Sequence, residues 1–549
     1  MRRLTFRTGR IAPVLVATAA ALGWTPPPTP QDPLRLIVVV TVDQMPAEML
    51  ERFGPYFSGG FARFLRGAVF TDAHQDHANT VTAVGYATIG TGAFPAHHGI
   101  VGNEYYDRAL HRMTYCAGDS DARILGYESA SGRSPRNLLR STLGDWVKAR
   151  WPESKVYGLA IKDRSAILAA GARADGAYWY EDEAGRFVTS SYYSDAYPDW
   201  VQAFNESGRV EQYHGRSWQK LLPDGAYVVS REDSFPAEAD GVHITFPHVL
   251  GENSEQPDRA FYAELPFTPF GDEVTLAFAR ELVTHEALGL DDAPDLLFLG
   301  LSTPDYIGHR YGPYSQEVED LYLRLDRGLE EFFALLDERV GEGRYVVALS
   351  ADHGALALPE ELVRRGVDAG RLDVRAVFGG VREVIAAAVR DSLITEPPRL
   401  RLAGGLVLSF AEAAPDWSTL TQLRSRIAHA LESSDGVVHA LTFDSLAAID
   451  VHAAGVMGRF RRSFHPDRAP DVAVHLRKYH VLDQRGATHG SAYDYDTHVP
   501  LVFMGPGIAA GRYGEPARTV DLAPTLAALL GVTPPDVDGR VLGEALGQR

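Results

Sequence analysis

Cysteine is all but missing from this chain of 549 residues: Cys116 is the only one. No intrachain disulfide can form, and no cysteine-rich zinc site can be built. Any transition-metal site must draw on histidine and carboxylates. Positive charge is also in deficit, with 53 Lys and Arg against 72 Asp and Glu and a net charge of −19. Nucleic-acid binders carry basic patches, so the balance argues against that class. An anionic substrate has to be drawn in by a local positive site, against the global field. Long apolar runs are scarce. The run from Ile11 to Gly23 has 13 residues, too short to span a bilayer comfortably. There is no internal repeat, and the only low-complexity tract is the proline-rich TPPPTPQDP.

What is present at the N-terminus fits an export signal. Arg2, Arg3, Arg7 and Arg10 precede the apolar run, Ala19 and Ala21 give an A-x-A cleavage pattern, and the proline-rich linker follows. Residues 1–31 are therefore read as signal peptide and linker, and the mature protein is expected in the periplasm or outside the cell. No cysteine lies near the run, so no lipid anchor on cysteine and no stable membrane anchor are expected.

The rest, 32–549, reads as one catalytic domain. Apolar residues make up 45% and charged residues 23%, as in ordinary globular proteins. LIVVVTVD (36–43), DLLFLGLS (295–302), YVVALSAD (345–352), DVAVHL (471–476) and PLVFMG (500–505) are continuous apolar runs, as expected of strands buried on both faces. Helical periodicity separates them, most clearly over 315–340 and 521–531. The alternation indicates an α/β domain with a mostly parallel sheet. Two regions break the rhythm, about 166–270 and 356–467. They are expected to be insertions over one face of the core.

Three strand candidates end in acid. Asp43 closes the first, Asp305 follows the second, and Asp352-His353 closes the third. Ligand crevices of open α/β sheets lie at the carboxyl ends of the strands. Three carboxylates gathered there repel one another unless cations sit among them. In LSTPDYIGHRYG, Asp305 and His309 stand four apart, on one face of a helical turn. RGATHGSAYDYDTHVP adds His489 before another strand. The pattern predicts a two-metal site. His97, His98, His452 and His498 are read as structural.

The order TVD, TAVGYATIGTG, HGIVGN, IKDR, STPDYIGH, SADHG and THGSAYDYDTHVPLVFMG resembles the alkaline phosphatase superfamily, most closely the phosphate-irrepressible (PafA) type. The resemblance runs from about Leu36 to the C-terminal VDLAPTLAALLG segment. It implies an alkaline-phosphatase-like sandwich and two zinc ions. Asp305, His309 and His489 then resemble the ligands of one zinc. Asp43, Asp352 and His353 resemble those of the other, with the nucleophile as a fourth neighbour. Among Thr80, Thr82 and Thr88, the family pattern selects Thr82, at a small-residue stretch suited to a helix N-terminus. Asn103, Lys162 and Arg164 are matched to groups that hold phosphoryl oxygens, with Lys162 and Arg164 expected on one side of an extended segment. Lys162 replaces the charge of a third, magnesium, site. The implied activity is hydrolysis of phosphate monoesters through a phosphothreonine. The rivals are a phosphodiesterase or nucleotide pyrophosphatase with the same ligands and, in another class, a catalytically dead zinc-binding secreted protein. A C/S-x-P-x-R motif is not found near Thr82, which argues against a sulfatase.

Overall fold

Leu36–Val42 forms the central strand β1, buried along its whole length. Its side chains alternate between two cores. Val38, Val40 and Val42 join one apolar cluster, while Ile37 and Val39 join another on the opposite face. A strand covered on both sides needs apolar residues at every position, which explains the unbroken run. The structure, a computed structural model, describes residues 33–547 apart from 128–130, 240 and 411–413. The expected signal peptide lies outside the described residues.

The central sheet also holds β2 (Ala68–Phe70), β3 (Val156–Ala160), β4 (Gly176–Glu181), β5 (Arg186–Val188), β6 (Asp295–Leu301), β7 (Tyr345–Ser350), β8 (Leu501–Met504) and β9 (Gly511–Tyr513). These nine strands run in the order β5-β4-β3-β6-β1-β7-β8-β2-β9. From β4 to β7 every neighbouring pair is parallel. β5 and β8 run antiparallel to their neighbours. The helices that matter here are α1 (Thr82–Thr91), α2 (Asp163–Ala170), α3 (Phe270–His285), α4 (Thr303–Tyr311) and α5 (Gln316–Leu336). Ser315 caps α5 by accepting the Val318 N–H. Val318, Leu321, Leu325, Leu329 and Phe332 then form the apolar stripe that buries it. On the other face Leu522 and Leu526 pack against the sheet.

Two expectations shift. The first irregular region was expected from about 166, but α2, β4 and β5 belong to the central layers, so the irregular stretch begins after Val188. The run DVAVHL is a strand, Val472–Leu476, of a separate four-stranded antiparallel sheet with Arg399–Leu402, Leu406–Ser409 and Val437–Thr442. Helices Val374–Arg390 and Trp417–Glu432 pack on it to make a small lobe with its own core. The second insertion therefore extends past 467. Among the described residues no helix is long and apolar enough to cross a membrane.

Candidate metal centre

The register of the sheet delivers the acids to one edge. Thr41 pairs with Ser350 on one side and Gly300 on the other. Two residues further on, Asp43 and Asp352 emerge side by side, and α4 begins with Thr303. Asp305 and His309 sit in its first and last turns. The loop before β8 brings in His489. The result is two groups, Asp305–His309–His489 and Asp43–Asp352–His353, each with ligand atoms within 4.8 Å of one another.

The imidazoles are all oriented in the same way. His309 Nδ1 lies 2.7 Å from the Ala487 carbonyl, His353 Nδ1 lies 3.0 Å from that of Gly354, and His489 Nδ1 lies 2.8 Å from that of Thr80. A carbonyl only accepts, so each Nδ1 carries a proton, and each Nε2 is left as the atom that takes a metal or a second proton. The Nε2 atoms of His309 and His489 face each other at 3.2 Å, an arrangement that calls for a cation or a proton between them. His353 stacks on His489 with ring centroids 3.6 Å apart.

Asp43 and Asp352 each have one oxygen engaged and the other unpaired, whereas Asp305 has both engaged, Oδ2 by Lys162 and Oδ1 by Gln44. Asp43 Oδ2 accepts from Lys162 Nζ at 2.7 Å and Asp305 Oδ2 does so at 2.6 Å. Asp352 Oδ1 accepts the backbone N–H of Gln44 at 3.1 Å and of His353 at 3.0 Å. Asp43 Oδ1, Asp352 Oδ2 and His353 Nε2 are buried without a hydrogen-bond partner. Buried polar atoms are rarely left unpaired. Three such atoms in one group, within 4.8 Å of one another, with the His489 ring stacked on His353, fit an N/O-ligated cation of the zinc type.

The charges respond to this crowding. Burial and the neighbouring Asp43 push Asp352 well above the usual carboxylate range. Burial pushes His353 down to about 4. Burial alone would lower His309 too, but the Asp305 carboxylate outweighs it and raises the imidazole to about 9. Lys162 is only 4% exposed. Burial opposes its charge, yet Asp305 and Asp43 more than compensate, so it stays an ammonium.

Thr82 opens α1 with its Oγ 3.4 Å from Lys162 Nζ. Gly85 lets this helix lie flat against the backbone of Asp352, because a Cβ there would meet the Asp352 carbonyl at 2.2 Å. Thr80 points elsewhere, its hydroxyl donating to the Ser491 carbonyl at 2.9 Å. Thr88 is buried within α1 against His98. Asn103 Oδ1 accepts the Ala83 N–H at 3.0 Å, which leaves the Nδ2 amide for donation. Lys162 ends the extended link after β3, but Arg164 lies in the first turn of α2 rather than on an extended segment. The Arg164 Nε is buried without a partner. The histidines read as structural stay outside both groups. His498 stacks on His74 and lies 3.1 Å from the Thr71 carbonyl.

Three supporting residues escaped the sequence reading. Gln44 Nε2 donates to Asp305 Oδ1 at 2.8 Å while its backbone N–H holds Asp352, so one residue touches both groups. It does so at φ +60°, a left-handed backbone seldom used outside glycine. Asp272 on α3 caps α4, accepting the N–H groups of Ser302 and Thr303 at 3.0 and 3.1 Å. Asp496 accepts the N–H and hydroxyl of Ser491 at 2.8 and 2.6 Å, fixing the loop that carries His489. A glutamine beside a metal-ligand candidate was the one signal available. The acids gave none.

The sequence profile of the type I phosphodiesterase/nucleotide pyrophosphatase family matches residues 37–397. Alkaline phosphatase PafA of Elizabethkingia meningoseptica is 34% identical over 536 residues, covering 94% of this chain and 95% of that one. Alkaline phosphatase PhoV of Synechococcus elongatus is 34% identical over 530 residues, 93% of each chain. The crystal structure of wild-type PafA matches with a TM-score of 0.86 at 32% identity, over 94% of this chain and 100% of that one.

Proposed function

The chain belongs to the type I phosphodiesterase/nucleotide pyrophosphatase family and, within it, groups with the PafA-type alkaline phosphatases; from this premise we propose that it is a two-zinc phosphatase that hydrolyses phosphate monoesters through Thr82. The observation that carries the proposal is the convergence of three fixed imidazole Nε2 atoms and two orphaned carboxylate oxygens around Lys162 and Thr82.

Asp43, Asp352 and His353 would hold one ion beside Thr82, and Asp305, His309 and His489 the other. Bound zinc supplies Lewis acidity to the attacking and departing oxygens. The chain's own groups do the rest. Thr82, at the start of α1 with its Oγ 3.4 Å from the Lys162 ammonium, would lose its hydroxyl proton to solvent and attack phosphorus, the new Oγ–P bond forming as the ester P–O bond breaks. The departing alcohol leaves on the His309 and His489 side. Lys162, the free Arg164 Nε and the Asn103 Nδ2 donate to the equatorial oxygens, where phosphoryl transfer concentrates charge. Water then attacks the phosphothreonine, the Oγ–P bond breaks, inorganic phosphate leaves and a proton from the water returns to the Thr82 hydroxyl. A monoester carries a charge of about −2 above a second pKa near 6, whereas a diester carries one less and brings a second ester group. Two cationic side chains at the equatorial oxygens favour the dianion.

A phosphodiesterase is the second reading, because the family profile carries that name and the metal ligands would be the same. The basic and apolar N-terminus supports export. Purified protein should turn over aryl phosphate far faster than the corresponding diester or sulfate, with about two zinc ions per chain, the complement of a two-metal site. Preference for the diester would move the assignment to the second reading. Full activity after thorough metal stripping would end both.

A further inference from the structure

Asp163 stands in the sequence between Lys162 and Arg164, the two cations proposed for the phosphoryl oxygens. An acid next to an arginine can claim its guanidinium and cancel its charge. Here the acid is claimed by others. Asp163 Oδ1 accepts the Tyr115 hydroxyl at 2.5 Å and the backbone N–H of Arg164 at 2.6 Å. Its Oδ2 accepts Arg133 Nε, and the same Arg133 guanidinium lies 4.9 Å from the centroid of the Tyr115 ring. The bond from Tyr115 has the short length of a hydroxyl donating to a carboxylate. Meanwhile Arg164 Nε stays buried without a partner. Burial opposes the Arg164 charge, and the oxygens of Tyr115 and Asp163 outweigh it.

Tyr115 also leads to the third phosphoryl donor. It ends the strand Arg112–Tyr115, which pairs antiparallel with Glu104–Asp107, and it lies opposite Glu104. One residue on, the Cys116 N–H donates to the Asn103 carbonyl at 3.0 Å. Asn103 therefore sits at the base of this hairpin, with its Oδ1 fixed to α1 through the Ala83 N–H. Burial and the neighbouring Asp163 push the Tyr115 phenol well above its ordinary range, so the hydroxyl keeps its proton and donates. One path of hydrogen bonds thus runs from Asn103 through the hairpin base, Tyr115 and Asp163 to the first turn of α2.

We propose that Tyr115 is a positioning residue for phosphoryl binding: through Asp163 it fixes the first turn of α2 against the base of the Asn103 hairpin, so that Arg164 is aligned with Asn103 before substrate arrives. With its oxygens held by Tyr115 and Arg133, Asp163 cannot turn to the Arg164 guanidinium and neutralise it. The inference rests on the monoesterase reading above.

Tyr115→Phe removes the hydroxyl and keeps the ring. In the zinc-loaded enzyme it should lower kcat/KM for phenyl phosphate by about tenfold, the low end for losing a hydrogen bond to a charged group. Inhibition by inorganic phosphate should weaken by a similar factor, which reads binding without turnover. In an Arg164→Ala background the same change should cost less than about twofold, because groups that act through one another are not additive. Arg133→Gln, which frees the other oxygen of Asp163, should repeat the pattern, and it decides the matter alone if Tyr115→Phe does not fold. Losses equally large with and without Arg164 overturn this inference, since a tyrosine that only supports the fold would act in both backgrounds. So does wild-type kcat/KM in Tyr115→Phe, and so does loss of zinc from it. Absence of any monoester turnover in the wild-type protein overturns the parent reading and this one with it.

Discussion

Replacing Gln44 should weaken one metal site and spare the other. Its side-chain amide donates to Asp305 Oδ1 at 2.8 Å, whereas its link to Asp352 runs through the backbone N–H. Gln44→Ala removes the first bond and keeps the second. A hydrogen bond to a charged group contributes about 1.5–3 kcal/mol. With Asp305 as a ligand of the proposed zinc, that is about ten- to hundredfold in affinity, the same range seen for outer partners of metal ligands. The backbone at φ +60° is equally strained for Gln and Ala, so strain cancels in the comparison. Gln44→Met keeps the length of the side chain and removes the donor, and should behave like Gln44→Ala. The assay is zinc titration of apoprotein against a competing chelator, which resolves two affinities. The expected result is one constant shifted by one to two decades and the other within a factor of about three, since its ligands keep every partner. Gln44→Met with wild-type affinities would show that the amide does no more than fill space. Equal losses at both sites would show that the backbone, not the side chain, holds the pair together.

Thr82→Ala should cost on the order of a thousandfold or more in kcat/KM with zinc still bound, while Thr82→Ser keeps substantial activity; a crippling Thr80→Ala beside a mild Thr82→Ala would move the nucleophile. The double change Lys162→Ala with Arg164→Ala should cut monoester kcat/KM by about a thousandfold, two charged contacts at roughly 2 kcal/mol each, and diester turnover much less; equal losses on the two substrates would refute the charge argument. Zinc affinity of the apoprotein should climb as pH rises from 7 to about 9 and then level, because His309, raised to about 9 by Asp305, must give up its proton to a metal. Chelator-competed titrations at several pH values measure this, and a flat profile would contradict it.

The sequence was most informative where one physical rule dominates. β1, β6 and β7 are covered on both faces, so nothing polar interrupts them, and the acids at their ends stand out. The two acid–histidine groups that the fold brings together were legible for that reason. Val472–Leu476 has the same apolar pattern but belongs to the lobe, because burial in a small core and burial in a large one look alike in a single segment. β8 could not be recognised as antiparallel, since direction follows from connection rather than composition. Gln44 reaches Asp305 and Asp352 across 261 and 308 residues. Asp272 reaches α4 across about thirty. Neither contact has a period or a spacing, and only the fold brings the partners together.

The place of Lys162 has a consequence for the order of events in the life of the protein. Its ammonium lies between Asp43 and Asp305, one acid from each group. Without it, a metal-free chain would gather unscreened carboxylates at one sheet edge, and folding would have to wait for the ions. With it, the sheet can close first, the ammonium keeping the acids in register while the imidazoles stay tied to their carbonyls. On the proposed function, folding and metal capture become two separable stages. Apoprotein folded without zinc should then be able to take up the ions afterwards.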